Sequence, residues 1–264
     1  MHDTALLAGA EFFRLHGAEG QAILDIGALD VNGSLRVAAP NNSRFTGVDL
    51  EAGPGVDLVV AAAGPLPFAD DTFDLVVSTS AFEHDPCFWV TVVEALRVLK
   101  PGGLFYFNAP ANGSYHAHPT DNWRFYPDAG LSLVLWARRQ GVDAHLVESG
   151  TCLRQADAWD DFFAIIGKGP LQPTTPFLSD RLPRCVNVRH GEGPILPESR
   201  RELAEDALEV ARLRSAARTL VEVNAQLAHD LALLNGRYQQ LLGSRSLRYT
   251  APFRHLLAAL RGRR

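Results

Sequence analysis

The chain has 264 residues, of which 47% are hydrophobic and 21% are charged. This apolar content is enough for a sizeable core, and no run of 18 apolar residues exists that could span a membrane. Residues 1–170 hold 10 Lys/Arg and 21 Asp/Glu, a net charge of −11, whereas residues 171–264 hold 15 and 9, a net charge of +6. We therefore expect no nucleic-acid partner for the acidic body, because proteins bind nucleic acids largely through basic side chains that contact the phosphates.

The N-terminus and the cysteines indicate a cytoplasmic location. No basic region followed by an apolar segment begins the chain, so no signal peptide is evident. Cys87, Cys152 and Cys185 lie far apart and follow no metal-ligand spacing. We interpret them as unpaired structural thiols in a reducing compartment.

The first elements in chain order point to a ligand-binding strand end. A helix is predicted over 4–15, a buried strand over 22–26 and a second helix over 33–39. Between the last two lies the turn of ILDIGALDVNG (23–33), in which Gly27 and Gly33 allow the backbone to turn sharply. In an open parallel sheet, ligands bind at the carboxyl ends of such strands.

A second predicted strand, 45–50, places an acid near this turn. It closes on Asp49, which lies 22 positions after Gly27. In βαβ nucleotide folds an acid at the tip of the second strand accepts hydrogen bonds from ribose hydroxyls. The alternative is a solvated strand-end carboxylate without a ligand.

Strands and helices continue to alternate along the body. Further strands are predicted over 56–60, 73–78 and 104–108, with a helix after Asp85-Pro86, an N-cap followed by proline. This alternation is typical of an α/β protein. The apolar stripe of that helix comprises Phe88, Trp89, Val92, Val93, Leu96 and Leu99.

Five ordered motifs carry a family resemblance over about residues 1–170. They are ILDIG, GVDL, LPFADDTFDLVVS, FEH and EALRVLKPGG. Together they resemble class I S-adenosylmethionine-dependent methyltransferases. The resemblance implies a Rossmann-like α/β fold, with a seven-stranded sheet, helices on both faces and an antiparallel last strand. Residues 142–148 and 162–167 would form the final pair of strands.

The same resemblance implies S-adenosylmethionine as cofactor. Ala62 departs from the family, since many relatives have an Asp there that binds the adenine amino group. Either a backbone carbonyl substitutes or affinity is lower, by a cost of about 1–3 kcal/mol for one lost bond. The implied binding residues are Asp25, Gly27, Ala28 and Gly33 for the methionine part, Asp49 for the ribose, and Ala62, Ala63 and Leu66 for the adenine, with Leu50 as a further cofactor-binding candidate.

The acceptor side is predicted in a long polar loop, 110–127, because long loops at a ligand-binding edge usually carry function. Its pattern His-x-x-Pro-x-Asp-x-Trp-Arg-Phe, over 116–125, resembles a subgroup of bacterial methyltransferases in cell-surface polysaccharide and O-antigen pathways. The resemblance implies O-methylation of a sugar of a surface glycan or of its lipid-linked precursor.

A general base would assist attack by a sugar hydroxyl, and His84, His116 and Asp121 are the catalytic candidates. Tyr115 and Trp123 could pack on a sugar ring, and Arg124 could clamp an anionic group. The alternatives are that His84 shapes the cofactor pocket, and that an Asp121–Arg124 salt bridge locks the loop with Trp123 as anchor. No His/Asp cluster has metal-ligand spacing, so no metal is predicted.

The remainder of the chain has a different pattern. Residues 171–197 are predicted to be a proline-rich linker or an arm lying over the body. Residues 198–264 are predicted to form a coiled-coil helix, with Asn224 as a polar seam residue that favours a parallel homodimer. The alternative is a helix packed back on its own body. The leucines that recur every seven residues are Leu213, Leu220, Leu227, Leu234 and Leu241.

The end of the chain is basic and amphipathic. Six arginines and no acid occur from Arg245 onwards. This pattern favours an anionic membrane surface, peripheral to the inner membrane face, or an acidic partner. The segment SRSLRYTAPFR also resembles tails beside glycosyltransferase and methyltransferase modules, which makes a glycosyltransferase a candidate partner. The alternative is a frayed, solubilising terminus. The apolar face comprises Phe253, Leu256, Leu257 and Leu260.

Two other functions remain open. The first is a degenerate methyltransferase fold that serves as a coiled-coil assembly module, favoured by Ala28 and Ala62 and opposed by Asp49, Gly27 and the elaborate acceptor loop. The second is a nicotinamide dehydrogenase, which the absence of a full GxGxxG motif disfavours.

Overall fold

The structure is a computed structural model that describes residues 3–116, 120–154, 159–171, 176–202 and 205–261. Pro119 of the acceptor-loop motif and the last two arginines lie outside the described residues. The chain divides into two compact units, Met1–Glu205 and Asp206–Arg264.

The first unit is an α/β layer structure in which helices and strands alternate along most of the chain. Its helices are α1 (Asp3–His16), α2 (Phe88–Val98) and α3 (Ala129–Arg139), with short 3-10 helices at Leu35–Ala38 and Pro197–Ser199. Its strands are β1 (Ala22–Ile26), β2 (Arg44–Asp49), β3 (Leu58–Val59), β4 (Phe73–Thr79), β5 (Leu99–Pro110), β6 (Ala144–Leu153), β7 (Asp160–Lys168) and β8 (Cys185–His190).

The eight strands form one sheet in the order β3-β2-β1-β4-β5-β7-β6-β8. Strands β1 to β5 pair in parallel, whereas β7 is antiparallel to both β5 and β6, and β8 is antiparallel to β6. The carboxyl ends of the five parallel strands therefore meet at one edge, where the loops after β1, β2, β4 and β5 also emerge.

Alternate residues of the central strands fill cores on the two faces of this sheet. Ile23, Leu75 and Tyr106 pack with α1 on one face, while Leu24 and Val76 pack with α2 and α3 on the other. This alternation is what a sheet buried on both faces requires. The fold confirms the predicted α/β architecture with helices on both faces.

Several predicted elements need correction. The predicted helix over 33–39 is only the 3-10 helix Leu35–Ala38, because Pro40 follows at once and leaves no room for longer helical turns. The predicted strand over 56–60 is the two-residue β3. The strand predicted over 104–108 is the longer β5, which begins at Leu99 and includes the Pro-Gly-Gly segment, where the register with β4 shifts.

The predicted count of seven strands is wrong, because the described part of the sheet has an eighth. Strand β8 lies in the stretch predicted to be a linker or arm, where proline density concealed a run of six residues, CVNVRH, that pairs with β6. This pairing sets Cys152 opposite Cys185, with their Sγ atoms 3.7 Å apart and both thiols free.

The second unit consists of two helices, α4 (Glu205–Gly243) and α5 (Arg245–Arg261). Helix α4 begins later than residue 198 and continues through Gly236. Its heptad leucines are exposed, as are Phe253, Leu256, Leu257 and Leu260 of α5. Within the described ranges, no helix is both long enough and apolar enough to cross a membrane.

Candidate active site

A glycine turn ends β1 at the carboxyl edge of the sheet. Gly27 has a φ of 82°, in the left-handed region that favours glycine. Its amide donates to the Val48 carbonyl at 2.9 Å. A Cβ on Gly27 would lie 2.3 Å from the Cβ of Ala81. The turn therefore packs directly against the loop that follows β4.

Asp49, at the end of β2, binds the loop that follows β1. Its Oδ2 accepts the Leu29 amide at 2.9 Å, and its Oδ1 accepts the Leu50 amide at 2.7 Å. The Ala28 amide donates to the Val48 carbonyl at 3.1 Å, beside the bond from Gly27. Because a carboxylate offers about four acceptor positions, Asp49 retains capacity for the hydroxyls of a ligand.

The loop between Gly27 and the 3-10 helix is stabilised by hydrogen bonds among its own polar groups. The Gly33 amide donates to Asp30 Oδ1 at 2.7 Å, and Ser34 caps the 3-10 helix by accepting the Arg36 amide at 3.2 Å. Gly33 also has a positive φ, 111°, but a Cβ there would meet no atom within 4 Å. Gly33 is thus required for its backbone conformation alone.

Three neighbouring strand ends carry buried polar side chains. Asp25 Oδ1, Ser78 Oγ and the amide of Asn108 are buried without a hydrogen-bond partner, on β1, β4 and β5 respectively. Burial raises the pKa of Asp25 to about 7; the charge of Arg36 opposes this shift, and that of Asp49 adds to it. Buried polar atoms of this kind commonly mark a place where a ligand supplies the missing bonds.

The remaining cofactor-binding candidates, Leu50 and the three residues predicted to line adenine, differ in exposure. Leu50, Ala62 and Ala63 are exposed. Leu66 is buried in the core, and its amide donates to Glu94 Oε2 at 2.7 Å. Leu66 therefore fixes the segment 62–66 to the core, while Ala62 and Ala63 lie at the surface.

The loop after β4, residues 80–87, connects this edge with the acceptor loop. Ser80 has a φ of 51°, a strained conformation of the kind that occurs at functional sites. The Glu83 carbonyl accepts the Asn122 amide at 2.7 Å and the Trp123 amide at 3.2 Å. The His84 carbonyl accepts the Asn122 side-chain amide at 2.9 Å, and His84 Nδ1 contacts the Thr120 carbonyl. These bonds fix the two loops together.

The catalytic candidates His84, His116 and Asp121 are brought together by these loops. The two imidazole rings meet edge to face, with 5.1 Å between their centroids. His116 Nδ1 lies 3.1 Å from Asp121 Oδ2, although without the alignment of a hydrogen bond, and the same oxygen accepts the His116 amide at 2.9 Å. Burial lowers the pKa of His84, while its contact with Thr120 opposes the shift.

Arg124 forms a two-bond ion pair with Asp121. The bonds join Nη1 to Oδ1 at 2.5 Å and Nη2 to Oδ2 at 2.8 Å. Nη1 and Nη2 also donate to the carbonyls of Trp123 and Ser114. Arg124 holds the pKa of Asp121 well below its usual range, mainly through these hydrogen bonds. The structure thus contains the loop-locking salt bridge that the sequence left as an alternative.

The aromatic residues of the acceptor loop have different environments. Trp123 donates from Nε1 to the Asp85 carbonyl at 2.9 Å, and its ring lies 5.5 Å from that of Phe88 and 5.8 Å from that of Trp89. Tyr115 is 76% exposed. Trp123 anchors the loop to α2, whereas Tyr115 presents its ring to solvent.

Glu83 is a site residue that the sequence interpretation missed. Its side chain is 3% exposed, and its Oε1 lies 3.6 Å from His84 Nε2. Burial raises its pKa to about 8; its own backbone amide opposes the shift, and the charge of Asp161 adds to it. The only hint was its place in the FEH motif, because its partners Asp161 and His116 are remote in sequence.

A cavity of about 740 Å³ opens beside the acceptor loop. Asn112 of that loop lines it together with side chains from the ends of β6, β7 and β8. Arg189, a lining residue on β8, donates to Asp128. The cavity is large enough for a small polar molecule.

Residues 24–107 match the family model of a methyltransferase domain. Two curated relatives are uncharacterised methyltransferases: one from Mycobacterium leprae is 36% identical over 116 residues, and one from Mycobacterium tuberculosis is 33% identical over 115. Each alignment covers 39% of this chain, and 42% or 45% of the relative. The matched region thus spans less than half the length of these relatives. These matches show that residues 24–107 are similar to a methyltransferase domain.

Two solved structures show a low similarity to part of this chain. One is a putative methyltransferase from Haloferax volcanii in complex with a methyltransferase activator; it is 20% identical with a TM-score of 0.47, covering 64% of this chain and 91% of that one. Another is the 1,6-didemethyltoxoflavin-N1-methyltransferase of Burkholderia thailandensis, in a structure with bound 1,6-didemethyltoxoflavin and S-adenosylhomocysteine. It is 18% identical with a TM-score of 0.47, covering 64% and 80% respectively.

Proposed function

We propose that the whole chain is an S-adenosylmethionine-dependent methyltransferase that O-methylates a sugar of a bacterial cell-surface glycan or of its lipid-linked precursor. The observation that carries the proposal is the position of the loop 80–87. At Ala81 this loop packs against the Gly27 turn, and at Glu83 and His84 it meets the acceptor loop. One short segment thus joins the cofactor edge to a cluster of titratable groups.

The cofactor edge fits S-adenosylmethionine. Asp25 Oδ1 and Ser78 Oγ are buried without partners, and Asp49 retains acceptor positions suited to ribose hydroxyls. When bound, the cofactor supplies a methyl group on a positively charged sulfur. The residues proposed to hold it are Asp25, Gly27, Ala28 and Gly33 for the methionine part, Asp49 and Leu50 for the ribose, and Ala62, Ala63 and Leu66 for the adenine.

The acceptor hydroxyl is deprotonated at the cluster of His84 and His116. Asp121 positions His116, because its Oδ2 accepts the backbone amide of His116 and lies 3.1 Å from Nδ1 of the His116 ring. Because Arg124 keeps Asp121 ionised, this carboxylate stabilises a protonated imidazole and is itself a poor base. His116 is therefore the stronger candidate for the base, and its contribution is typically about 10²–10⁴-fold in rate.

The acceptor class follows from the composition of the acceptor loop. Its motif resembles that of methyltransferases in surface-polysaccharide pathways, and the exposed ring of Tyr115 offers an apolar face to a sugar. Trp123 is 37% exposed and presents part of its ring beside the same loop. The guanidinium of Arg124 is engaged by Asp121 and two carbonyls, so we assign it a positioning role.

The test is methyl transfer from isotope-labelled S-adenosylmethionine to two fractions, lipid-linked saccharides and isolated polysaccharide. We expect label in a saccharide as a methyl ether, which survives mild alkali. Label released by alkali would indicate a methyl ester and overturn the hydroxyl acceptor. Label found only in protein or a small non-sugar metabolite would overturn the glycan acceptor.

A second proposed activity concerns assembly. Helix α4 presents an exposed seam that favours a parallel homodimer, with Leu227 near its middle and Asn224 fixing its register. Helix α5 combines exposed apolar residues with arginines, which suits an anionic membrane surface or a glycosyltransferase partner. The coiled coil would then hold the enzyme near its lipid-linked acceptor.

Sedimentation of the full chain tests this assembly. We expect a dimer for the wild type, a monomer for Leu227→Asp and a dimer for the control Ala225→Asp, which lies off the seam. A wild-type chain that stays monomeric at micromolar concentration would contradict the coiled coil and favour a helix packed within its own chain.

A further inference from the structure

Two histidines and a glutamate converge where the loop after β4 meets the acceptor loop. Glu83, His84 and His116 each offer one ligand atom, and these atoms all lie within 4.8 Å of one another. We propose that these three side chains form a binding site for a divalent transition-metal ion, of which zinc is the representative probe. The spacing in the sequence predicted no metal, because the third ligand lies 32 positions after the second.

The donor set suits such an ion. Two imidazole nitrogens and one carboxylate oxygen are a ligand combination that binds zinc in catalytic sites, where a fourth position stays open. Glu83 Oε1 lies 3.6 Å from His84 Nε2. Two ligands at about 2 Å from a tetrahedral zinc are separated by about 3.3 Å, so this pair is already close to coordination distance.

The surroundings orient each imidazole as in a metal site. His84 Nδ1 contacts the Thr120 carbonyl, which leaves Nε2 directed to Glu83. His116 Nδ1 lies beside the Asp121 carboxylate, which leaves its Nε2 as ligand. Metal-binding histidines usually have their second nitrogen held by a carbonyl or a carboxylate; the Thr120 carbonyl does this for His84, and the Asp121 carboxylate lies 3.1 Å from Nδ1 of His116.

Burial and charge point to the same conclusion. Glu83 is buried, and its Oε2 has no hydrogen-bond partner, although the neighbouring backbone groups are well paired. The charges that act on this carboxylate are those of Asp121 and Asp161, with Arg124 as the compensating cation. A cation among the three ligands would be attracted by these carboxylates.

An open coordination position would bind a water or the acceptor oxygen and lower its pKa. This role rests on the proposed methyl transfer, whereas metal binding does not. With a metal bound, both imidazoles are ligands, and the metal takes over the activation otherwise assigned to a free imidazole base.

Calorimetric titration of Zn²⁺ into the full chain, after chelator treatment and without cofactor or acceptor, tests the site. We expect one zinc per chain. Glu83→Gln and His116→Ala should each weaken binding at least tenfold, which is the lower range for losses even in the outer shell of a metal site. The control His145→Ala removes a surface histidine that pairs with Asp143 and should leave the affinity unchanged.

Substitution of Co²⁺ provides a second readout, because its visible absorption reports nitrogen and oxygen coordination. Circular dichroism verifies that the variants fold. Absence of saturable binding, or equal affinity in the wild type and both ligand variants, would overturn the site. Because the titration contains no S-adenosylmethionine, a failure to bind zinc does not contradict the proposed methyl transfer. Likewise, a failure to bind S-adenosylmethionine in a separate experiment does not contradict the metal site.

Discussion

The cofactor edge and the acceptor edge of the sheet are built by different means. At the cofactor edge, backbone groups dominate: the Gly27 turn packs on Ala81, and Asp49 accepts the amides of Leu29 and Leu50. At the acceptor edge, charged side chains dominate: Glu83 and His84 lie in the loop after β4, and Asp121 lies 37 positions after His84 in the acceptor loop. The first edge is shaped mainly by backbone geometry and the second mainly by contacts between side chains.

This difference predicts what substitutions do. Changes at the cofactor edge should alter stability and cofactor affinity, because backbone geometry supports both. Changes among the titratable groups of the acceptor edge should alter the reaction rate while leaving cofactor binding intact.

The largest expected effect is that of His116→Ala on rate. Loss of a general base, or of a metal ligand that activates the acceptor, should lower the rate of methyl transfer about 10²–10⁴-fold, with the Kd for S-adenosylmethionine changed less than twofold. Single-turnover transfer together with calorimetry measures the two quantities. His229→Ala, on the exposed face of α4, is the control. A rate within threefold of the wild type would exclude His116 from the chemistry.

Gly27→Ala should produce the next largest effect, on stability. The left-handed backbone and the 2.3 Å approach to Ala81 should together lower the free energy of unfolding by about 2–4 kcal/mol. Gly33→Ala is the matched control, because its φ is also positive but its Cβ would meet nothing, so it should cost only about 1–2 kcal/mol. Urea denaturation measures both. Equal losses would show that the contact with Ala81 carries no energy.

Asp25→Asn should change the pH dependence of stability. The pKa of Asp25 is raised to about 7 in the folded chain, so its stabilising contribution is fully present below about pH 4 and is lost as the pH rises through 7. Between these limits the wild type should lose up to about 1.4 kcal/mol per pH unit relative to the variant. Denaturation at pH 5, 6 and 7 measures this, and parallel curves for the two proteins would contradict it.

The smallest expected effect is that of Trp123→Phe at the acceptor edge. The variant keeps a ring near Phe88 and Trp89 but loses the bond from Nε1 to the Asp85 carbonyl. We expect a loss of about 0.5–1.5 kcal/mol in the free energy of unfolding. No change would mean that water replaces this bond at no cost.

The sequence predicted the cofactor edge better than the acceptor edge, for a physical reason. A strand that ends in a glycine turn, and a second that ends in an acid, are local patterns, and both strands end where the structure has them. Strand β8 was missed because its alternation, with Val186 and Val188, is only six residues long and lies among prolines, whereas its pairing with β6 is a tertiary contact. Glu83 was missed because its burial depends on Asp121, Asp161 and the acceptor loop, which no spacing along the chain encodes.

The most direct test of the central proposal is calorimetric titration of S-adenosylmethionine into the full wild-type chain and into Asp49→Ala. We predict saturable binding to the wild type and a loss of one to two decades in affinity for the variant, or about 1.4–2.8 kcal/mol. Failure of the wild type to bind S-adenosylmethionine, or equal affinity in the variant, would contradict the proposed cofactor edge. Either result would favour a degenerate methyltransferase fold that serves as an assembly module through its coiled coil.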